Sequence, residues 1–554
     1  LNSSTPPHAA QAPQKGPIPA WVVLGLVLLS EYLFVSHAID ARDLLRPAGL
    51  EGLLGKVGDL APWAFIFLAA VVLTGGQAVR LRLRALSAYR AERPWTALWG
   101  AAHVVSFASV VGLGGFIQAL DAASLTLARC ALAGWFISVG VSAVTLMLAL
   151  WRRTTVLAAL GGLRRELAIG LGVGVVAWAA GMGSRLLWKP LAWLTLELVH
   201  ALLTVFMPDA VASIEQSLVG TSRFFVEVAP ECSGIEGVGL MLTFMLAYLY
   251  VQRAELRWPR SWLLVPVSAV FIWLLNVVRV TALIAVGTWW SPDVALGGFH
   301  SKAGWLFFVM SSLLTVYFVQ RSPAFRKAAT DAAPTTTSQP KTQSPIAVAT
   351  AAYLVPLLTL LAVKLVTGLF TAGFDYLYPV GVVAAAAALW TFRRHYLPLE
   401  LGSLVLPLSV GGLMAGVWIV GFAPGPTPSQ LGNQLAALPA PWGTLWLVMR
   451  IIGTTLTVPI VEELAFRGYL LRRFISPAFH EVPYKRFSWL GLLVSSLAFG
   501  VLHSQWGLGI LAGAAFGLLT VARGRLSDAV VAHAAANALI VVYVLVTGHW
   551  ALLG

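Results

Sequence analysis

Apolar runs of about membrane-spanning length, separated by short loops that hold most of the charge, set the pattern of this chain. In the first part they fall at 20–35, 60–79, 99–118, 131–150, 168–184, 234–251, 262–290 and 303–320. In the second they fall at 346–370, 378–391, 402–421, 444–461, 488–505, 506–522 and 529–546. The pattern predicts an all-α, polytopic transmembrane helical protein with two dissimilar membrane domains. Its expected parts are a disordered Pro/Ala/Ser-rich N-terminus at 1–19, a transmembrane region at 20–165, a membrane domain at 166–325, a linker at 326–345 and a second membrane domain at 346–554.

Basic loops orient the spans, because cytoplasmic loops carry an excess of Lys and Arg. Arg80, Arg82, Arg84, Arg90 and Arg93 mark one such loop, and Arg152, Arg153, Arg164 and Arg165 the next. Arg253, Arg257 and Arg260 after the 234–251 run put Cys232 outside, and only an odd number of crossings then fits between Arg165 and Cys232. The expectation is therefore that 168–184 crosses and that 190–206 is a separate interfacial or re-entrant helix. In the second domain Arg393 and Arg394, then Arg472, Arg473, Lys485 and Arg486, then Arg523 and Arg525 alternate with an uncharged outer loop at 422–443.

Composition agrees with this reading and removes one partner. The chain is 58% hydrophobic and 11% charged, which places it in the lipid bilayer. A net charge of +14 would suggest nucleic acid if it were clustered, but the arginines sit in topology-setting loops, so no nucleic-acid partner is expected. Two cysteines exclude a disulfide framework and fit one working thiol, Cys232, beside an incidental Cys130.

Cys232 stands in Glu231-Cys232-Ser233-Gly234-Ile235-Glu236-Gly237, at the mouth of an apolar run. A nucleophilic thiol needs access and a lowered pKa, supplied by a helix N-terminus or a nearby cation. Ser233 and Gly234 can open the helix. Glu231 and Glu236 favour the neutral thiol, so they need another role, such as holding an arginine or contacting substrate. Arg279 lies about 17 residues into its run, ~25 Å across a ~30 Å core, near the outer face, where an unpaired arginine is costly. His300 opens the next span on the same side. A buried cysteine at a helix start and a structural loop histidine are the plainer alternatives for each residue alone; the three together can form a thiol protease site.

These motifs, with Asn276-Val277-Val278-Arg279-Val280 and Gly298-Phe299-His300 in that order over roughly 166–325, resemble exosortases and archaeosortases. The resemblance implies a membrane enzyme acting on C-terminal sorting signals. Cys232 would then be the nucleophile, Arg279 would stabilise thiolate or oxyanion, and His300 would move the proton.

The second domain carries Glu462-Glu463-Leu464-Ala465-Phe466-Arg467, then His503, then His533 and Asn537. On a helix Glu463 and Arg467 pair at i,i+4 while Glu462 points away, leaving one free carboxylate that can act as a general base on water. His533 and Asn537 share a helical face and can donate to an oxyanion, with His503 a partner for Glu462. Polar residues that pin helices together are the plainer alternative. Zinc on Glu462, His503 and His533 stays open, although no His-Glu-x-x-His spacing signals it and no cofactor is expected. The helix through Glu462 is expected to run past Arg467 towards Phe474, and His503 to lie ~22 Å along its own helix, counted at ~1.5 Å per residue from Ser488.

The motifs over roughly 346–554 resemble the CPBP intramembrane endopeptidases, which include the type II CAAX prenyl proteases. That resemblance implies metal-independent hydrolysis by glutamate-activated water. Fusion of the two halves resembles the exosortase E/protease architecture of the VPEID-CTERM system. It implies substrates that are C-terminal tails of secreted proteins carrying a sorting signal, a bacterial cytoplasmic (inner) membrane location with Cys232 facing outward, and transpeptidation or hydrolysis there. The second half, expected to differ in sidedness, would trim the leftover helix or an unrelated peptide. Two alternatives remain: a transporter, disfavoured because the halves are dissimilar rather than inverted repeats, and a non-catalytic binding module in the second half.

Overall fold

The computed structural model describes residues 20–39, 44–50, 67, 70–71, 93–120, 124–229, 232–327, 345–371, 373–396, 402–422 and 431–553. The N-terminus at 1–19, most of the 60–79 run, Arg80 to Arg90, Glu231 and most of the linker lie outside them. The chain forms two compact units, Leu1–Leu186 and Leu187–Gly554. Among the described residues eight helices are long and apolar enough to cross a membrane, as a polytopic helical membrane protein requires.

In the first unit lie α1 (Ala20–Ala38), α2 (Arg93–Gln118), α3 (Leu125–Leu150), α4 (Arg153–Gly162) and the start of α5 (Arg164–Thr204). Polar side chains join the first three. His103 on α2 has Nε2 2.7 Å from Glu31 Oε1 on α1 and Nδ1 3.2 Å from Ser142 Oγ on α3. One turn on, Ser106 and Thr145 share a 3.2 Å hydroxyl contact, so these apolar helices are held by hydrogen bonds where burial alone gives no preference for one partner over lipid.

One expectation fails at α5. The runs at 168–184 and 190–206 are a single helix that continues through Pro190. Proline removes one backbone hydrogen bond, but with no water to take up the freed groups a membrane helix tends to keep the rest of its ladder. A single helix can still supply the odd crossing that the flanking arginines require.

The second unit continues with a small antiparallel meander absent from the sequence reading: β1 (Ala210–Ser213), β2 (Leu218–Thr221) and β3 (Phe225–Glu227), in order β1-β2-β3. The Val228 N–H donates to Ser217 O at 2.7 Å, so the sheet delivers the chain to Cys232 at a fixed place. Then come α6 (Ile235–Val251), α7 (Leu264–Trp289) and α8 (His300–Arg321), which pack together.

The second half holds α9 (Pro345–Thr367), α10 (Tyr378–Phe392), α11 (Val405–Gly421), α12 (Ala440–Arg473), α13 (Trp489–Val501), α14 (Trp506–Arg523) and α15 (Leu526–Thr547). As expected, α12 runs past Arg467. It contains two π-helical stretches, Gly453–Thr457 and Leu464–Leu470, either side of the glutamates, a distortion frequent at functional sites. The expected 488–505 span is shorter: α13 ends at Val501, and His503 lies in the turn to α14 rather than within a helix.

The halves meet at their ends. The turn Ala295–Phe299, just before His300, packs on Gly368–Phe370 at the end of α9, and Trp290 lies 5.9 Å from Phe370, ring to ring. A side chain at Gly298 would collide with the carbonyls of Gly368 and Thr371, so only glycine allows this approach.

Candidate active sites

In the first half the backbone at Cys232 is fixed from two helices. Gly234, at φ 85°, turns the chain into α6, a conformation glycine adopts at little cost. Asn276 Nδ2 on α7 donates to Cys232 O at 2.8 Å. Thr195 Oγ1 on α5 donates to Ser233 O at 3.2 Å and itself accepts from Trp273 Nε1 at 3.0 Å. Cys232 is 5% exposed, in an apolar cluster with Val277, Val280 and Ala295 and with Phe299 beside it. The sequence reading asked for an accessible sulfur; pinning both carbonyls turns this residue inward instead. Glu236 is exposed in the first turn of α6.

Arg279 lies one turn beyond Asn276 and rests against α8: a Cβ at Gly304 would stand 3.1 Å from its Nη1. Gly304 follows His300 by one turn. Arg279 Nε is buried with no hydrogen-bond partner among the described residues, a donor available to charge that develops during a reaction. The start of α6, the middle of α7 and the start of α8 thus pack together, with Asn276 reaching Cys232 O and Arg279 lying against α8 one turn after His300. Asn276 was quoted in the motif without a role. Asn276→Ala is expected to slow substrate turnover at Cys232 by roughly tenfold, one lost hydrogen bond of ~1 kcal/mol and the mispositioning it allows; an unchanged rate would remove Asn276 from the site.

The second site lies in a cavity of about 280 Å³ lined by Glu462, His503, His533 and Asn537. The two glutamates are split as the helical spacing requires. Arg467 Nη1 donates to Glu463 Oε1 at 2.8 Å and Nη2 to Gly513 O at 2.8 Å, and the guanidinium stacks on Phe499 at 4.4 Å. Glu463 and Arg467 are fully buried. Glu462 is 7% exposed, and its Oε2 has no hydrogen-bond partner among the described residues.

Two expected roles change on geometry. His533 Nδ1 lies 3.0 Å from Glu463 Oε1 and its Nε2 is 4.0 Å from Glu462 Oε2, so this imidazole bridges the carboxylates instead of standing free for an oxyanion. His533, not His503, is thus the histidine within 4.0 Å of Glu462. His503 donates Nδ1–H to Phe499 O at 2.8 Å. Asn537 spends one amide N–H on Thr454 O at 2.8 Å, in the first π stretch, and keeps a second to donate.

The cavity also holds Lys364, Asp375 and Arg450, which the sequence reading missed. A lone cation inside an apolar run was the available signal for Lys364 and Arg450. Asp375 lies beyond the end of α9, where burial pushes its carboxyl above the usual range against the downward pull of Lys302, Lys364 and Arg450. With Thr367 and Asp375 in its wall, the cavity extends to the end of α9 that packs before His300. Among the described residues no set of three His, Cys, Asp or Glu side chains is spaced to hold a metal ion.

The helical membrane scaffold holds Cys232 buried, Arg279 and His300 part-buried on the neighbouring helices and Glu462 in the cavity wall, and the families it matches are membrane peptidases. Residues 61–317 match the family model described as transmembrane exosortase, and residues 444–539 match that of the type II CAAX prenyl endopeptidase Rce1-like family. The chain thus joins an exosortase-like segment to an Rce1-like CAAX protease segment in one polypeptide. No curated protein and no solved structure matches it.

Proposed function

We propose that the first half cleaves C-terminal sorting signals of secreted proteins with Cys232 as nucleophile, and that the second half hydrolyses membrane peptides with Glu462 as general base. In the first reaction the Cys232 thiolate attacks the scissile carbonyl, Arg279 bears the oxyanion charge, and His300 returns the proton to the leaving amine. The thioester passes to water or to an amine acceptor, which makes the step hydrolysis or transpeptidation. In the second, Glu462 takes a proton from water, and Asn537 donates its remaining N–H to the tetrahedral oxygen. The architecture suits the VPEID-CTERM type of system in a bacterial inner membrane, with Cys232 on the outer side.

The observation that carries the proposal is the division of labour between adjacent glutamates: Glu463 Oε1 faces both Arg467 at 2.8 Å and His533 at 3.0 Å, while Glu462 has only His533 Nε2 at 4.0 Å. A helix-pinning role would use both. The test is the C-terminal mass of a co-expressed secreted protein whose tail has a short motif, a membrane helix and a basic cluster. Cys232→Ala is expected to leave the tail intact and Glu462→Ala to leave the first cut in place. Cleavage unaffected by Cys232→Ala but blocked by Glu462→Ala would overturn the assignment of the primary cut.

A further inference from the structure

The contact between the two halves falls on the residues around His300. Gly298, just before it, lies so near the carbonyls of Gly368 and Thr371 that a Cβ would collide with both. Lys302, just after it, lays its side chain over the same Gly368, where a Cβ would meet Nζ, Cδ and Cε. His300 is thus bracketed by two residues that touch one glycine of the second half. Gly298 is not among the residues with positive φ, so the turn itself does not call for glycine there; the carbonyls across the contact do. On its other side the turn faces the thiol: Ala295 is wholly buried, and both it and Phe299 belong to the apolar cluster that holds Cys232. Ser301 Oγ donates to Gly297 O at 2.9 Å, which ties the start of α8 back to the turn. The turn is therefore clasped between the surroundings of Cys232 and the end of α9.

We infer that the end of α9, at Gly368 and Thr371, is a positioning element for the Cys232 reaction and holds His300 in place from the second half. The inference rests on the reading of Cys232 and His300 as one site and adds a contribution from outside the first half. The approach at Gly298 leaves no slack, because the atoms it meets are backbone carbonyls and not a side-chain tip that can swing aside. Any widening there passes directly to His300, and misplacement of a reacting group by about 1 Å can cost about 100-fold in rate. The second half therefore has two tasks, hydrolysis at Glu462 and support of the first cut, and the support needs no acid or base. Lys302 extends the link, since its charge acts on Asp375 in the wall of the Glu462 cavity. A support of this kind works only with the halves present one to one, which a single polypeptide guarantees.

The test uses the full chain in neutral detergent with two probes. One is a tail peptide with a short motif, a membrane helix and a basic cluster; the other is a quenched apolar peptide for the Glu462 reaction. Gly298→Ala is expected to lower kcat on the tail peptide by about tenfold or more, with KM and the Glu462 reaction each within about twofold of wild type and thermal unfolding unchanged. Gly368→Val, placed in the second half, is expected to slow the first reaction in the same way. Adding Lys302→Ala to it recovers the rate, because the atoms nearest a new side chain at 368 are those of Lys302. Loss of fold lowers both reactions and the unfolding temperature together, so the ratio of the two rates reads position alone. A wild-type kcat on the tail peptide in Gly298→Ala, equal losses of both reactions, or a change confined to KM overturns the inference. Tail cleavage that survives Cys232→Ala is a separate failure, which removes the reading of the thiol and the inference with it. Loss of cleavage in Cys232→Ala beside full activity in Gly298→Ala removes the inference alone.

Discussion

Glu462→Gln lowers peptide hydrolysis by the second half by about 10³-fold, within the range for loss of a general base, and leaves the fold intact. The substitution keeps the shape of the side chain and removes only its capacity to take a proton. It disturbs little, because Glu462 Oε2 has no hydrogen-bond partner among the described residues and His533 Nε2 is 4.0 Å away. Glu463→Gln behaves differently, since it strips the counter-charge from a fully buried guanidinium and weakens the His533 contact at 3.0 Å. Hydrolysis of a quenched apolar peptide and thermal unfolding, measured on the same preparations, separate the two. If Glu462→Gln keeps more than about a tenth of the activity, the general-base assignment fails.

Arg467→Leu destabilises the second half by about 3–5 kcal/mol, the cost of removing one partner from a buried ion pair. Glu463 is then left wholly buried beside Glu462, and Gly513 O loses its donor. Stacking of the guanidinium on Phe499 is lost as well. A charged His533 recovers part of the loss by facing both carboxylates. Arg467→Leu combined with Glu463→Leu restores much of the stability, because an apolar pair of similar volume carries no desolvation cost. Denaturant titration of the single and double variants gives the coupling directly. A single-variant loss below about 1 kcal/mol would mean that the pair is water-exposed, contrary to its burial.

The polytopic helical fold and the Glu463–Arg467 pairing were legible because both follow from period: apolar length for the spans, i,i+4 spacing for the pair. Convergence around Cys232 was legible in outline, since charges in the loops put three motifs at one end of three spans. What sequence could not give was the choice among partners. His533 has two nitrogens and two carboxylates near it, and only packing decides that it bridges them while His503 turns to Phe499 O. Pro190 invites a helix break that the surroundings overrule. Asn276, Thr195 and Trp273 act through backbone carbonyls around Cys232, contacts that leave no trace in spacing. Lys364 and Arg450 did leave one, as single cations in apolar runs.

The π-helical stretches of α12 make its residue count a property of the site. Each residue of an α-helix advances the side chains by about 100°, so a widened turn at Gly453–Thr457 sets the angular phase between Arg450 above it and Glu462 below. Loss of a single residue from that stretch would let the helix regularise and swing Glu462, Glu463 and everything after them by about that angle relative to Arg450. Arg467 would still find Glu463, as both turn together, but His533 and Asn537 on α15 would face a different side of α12. Length, and not only identity, is therefore under constraint here, and a one-residue deletion among Gly453–Thr457 would silence the second site with every catalytic side chain still present.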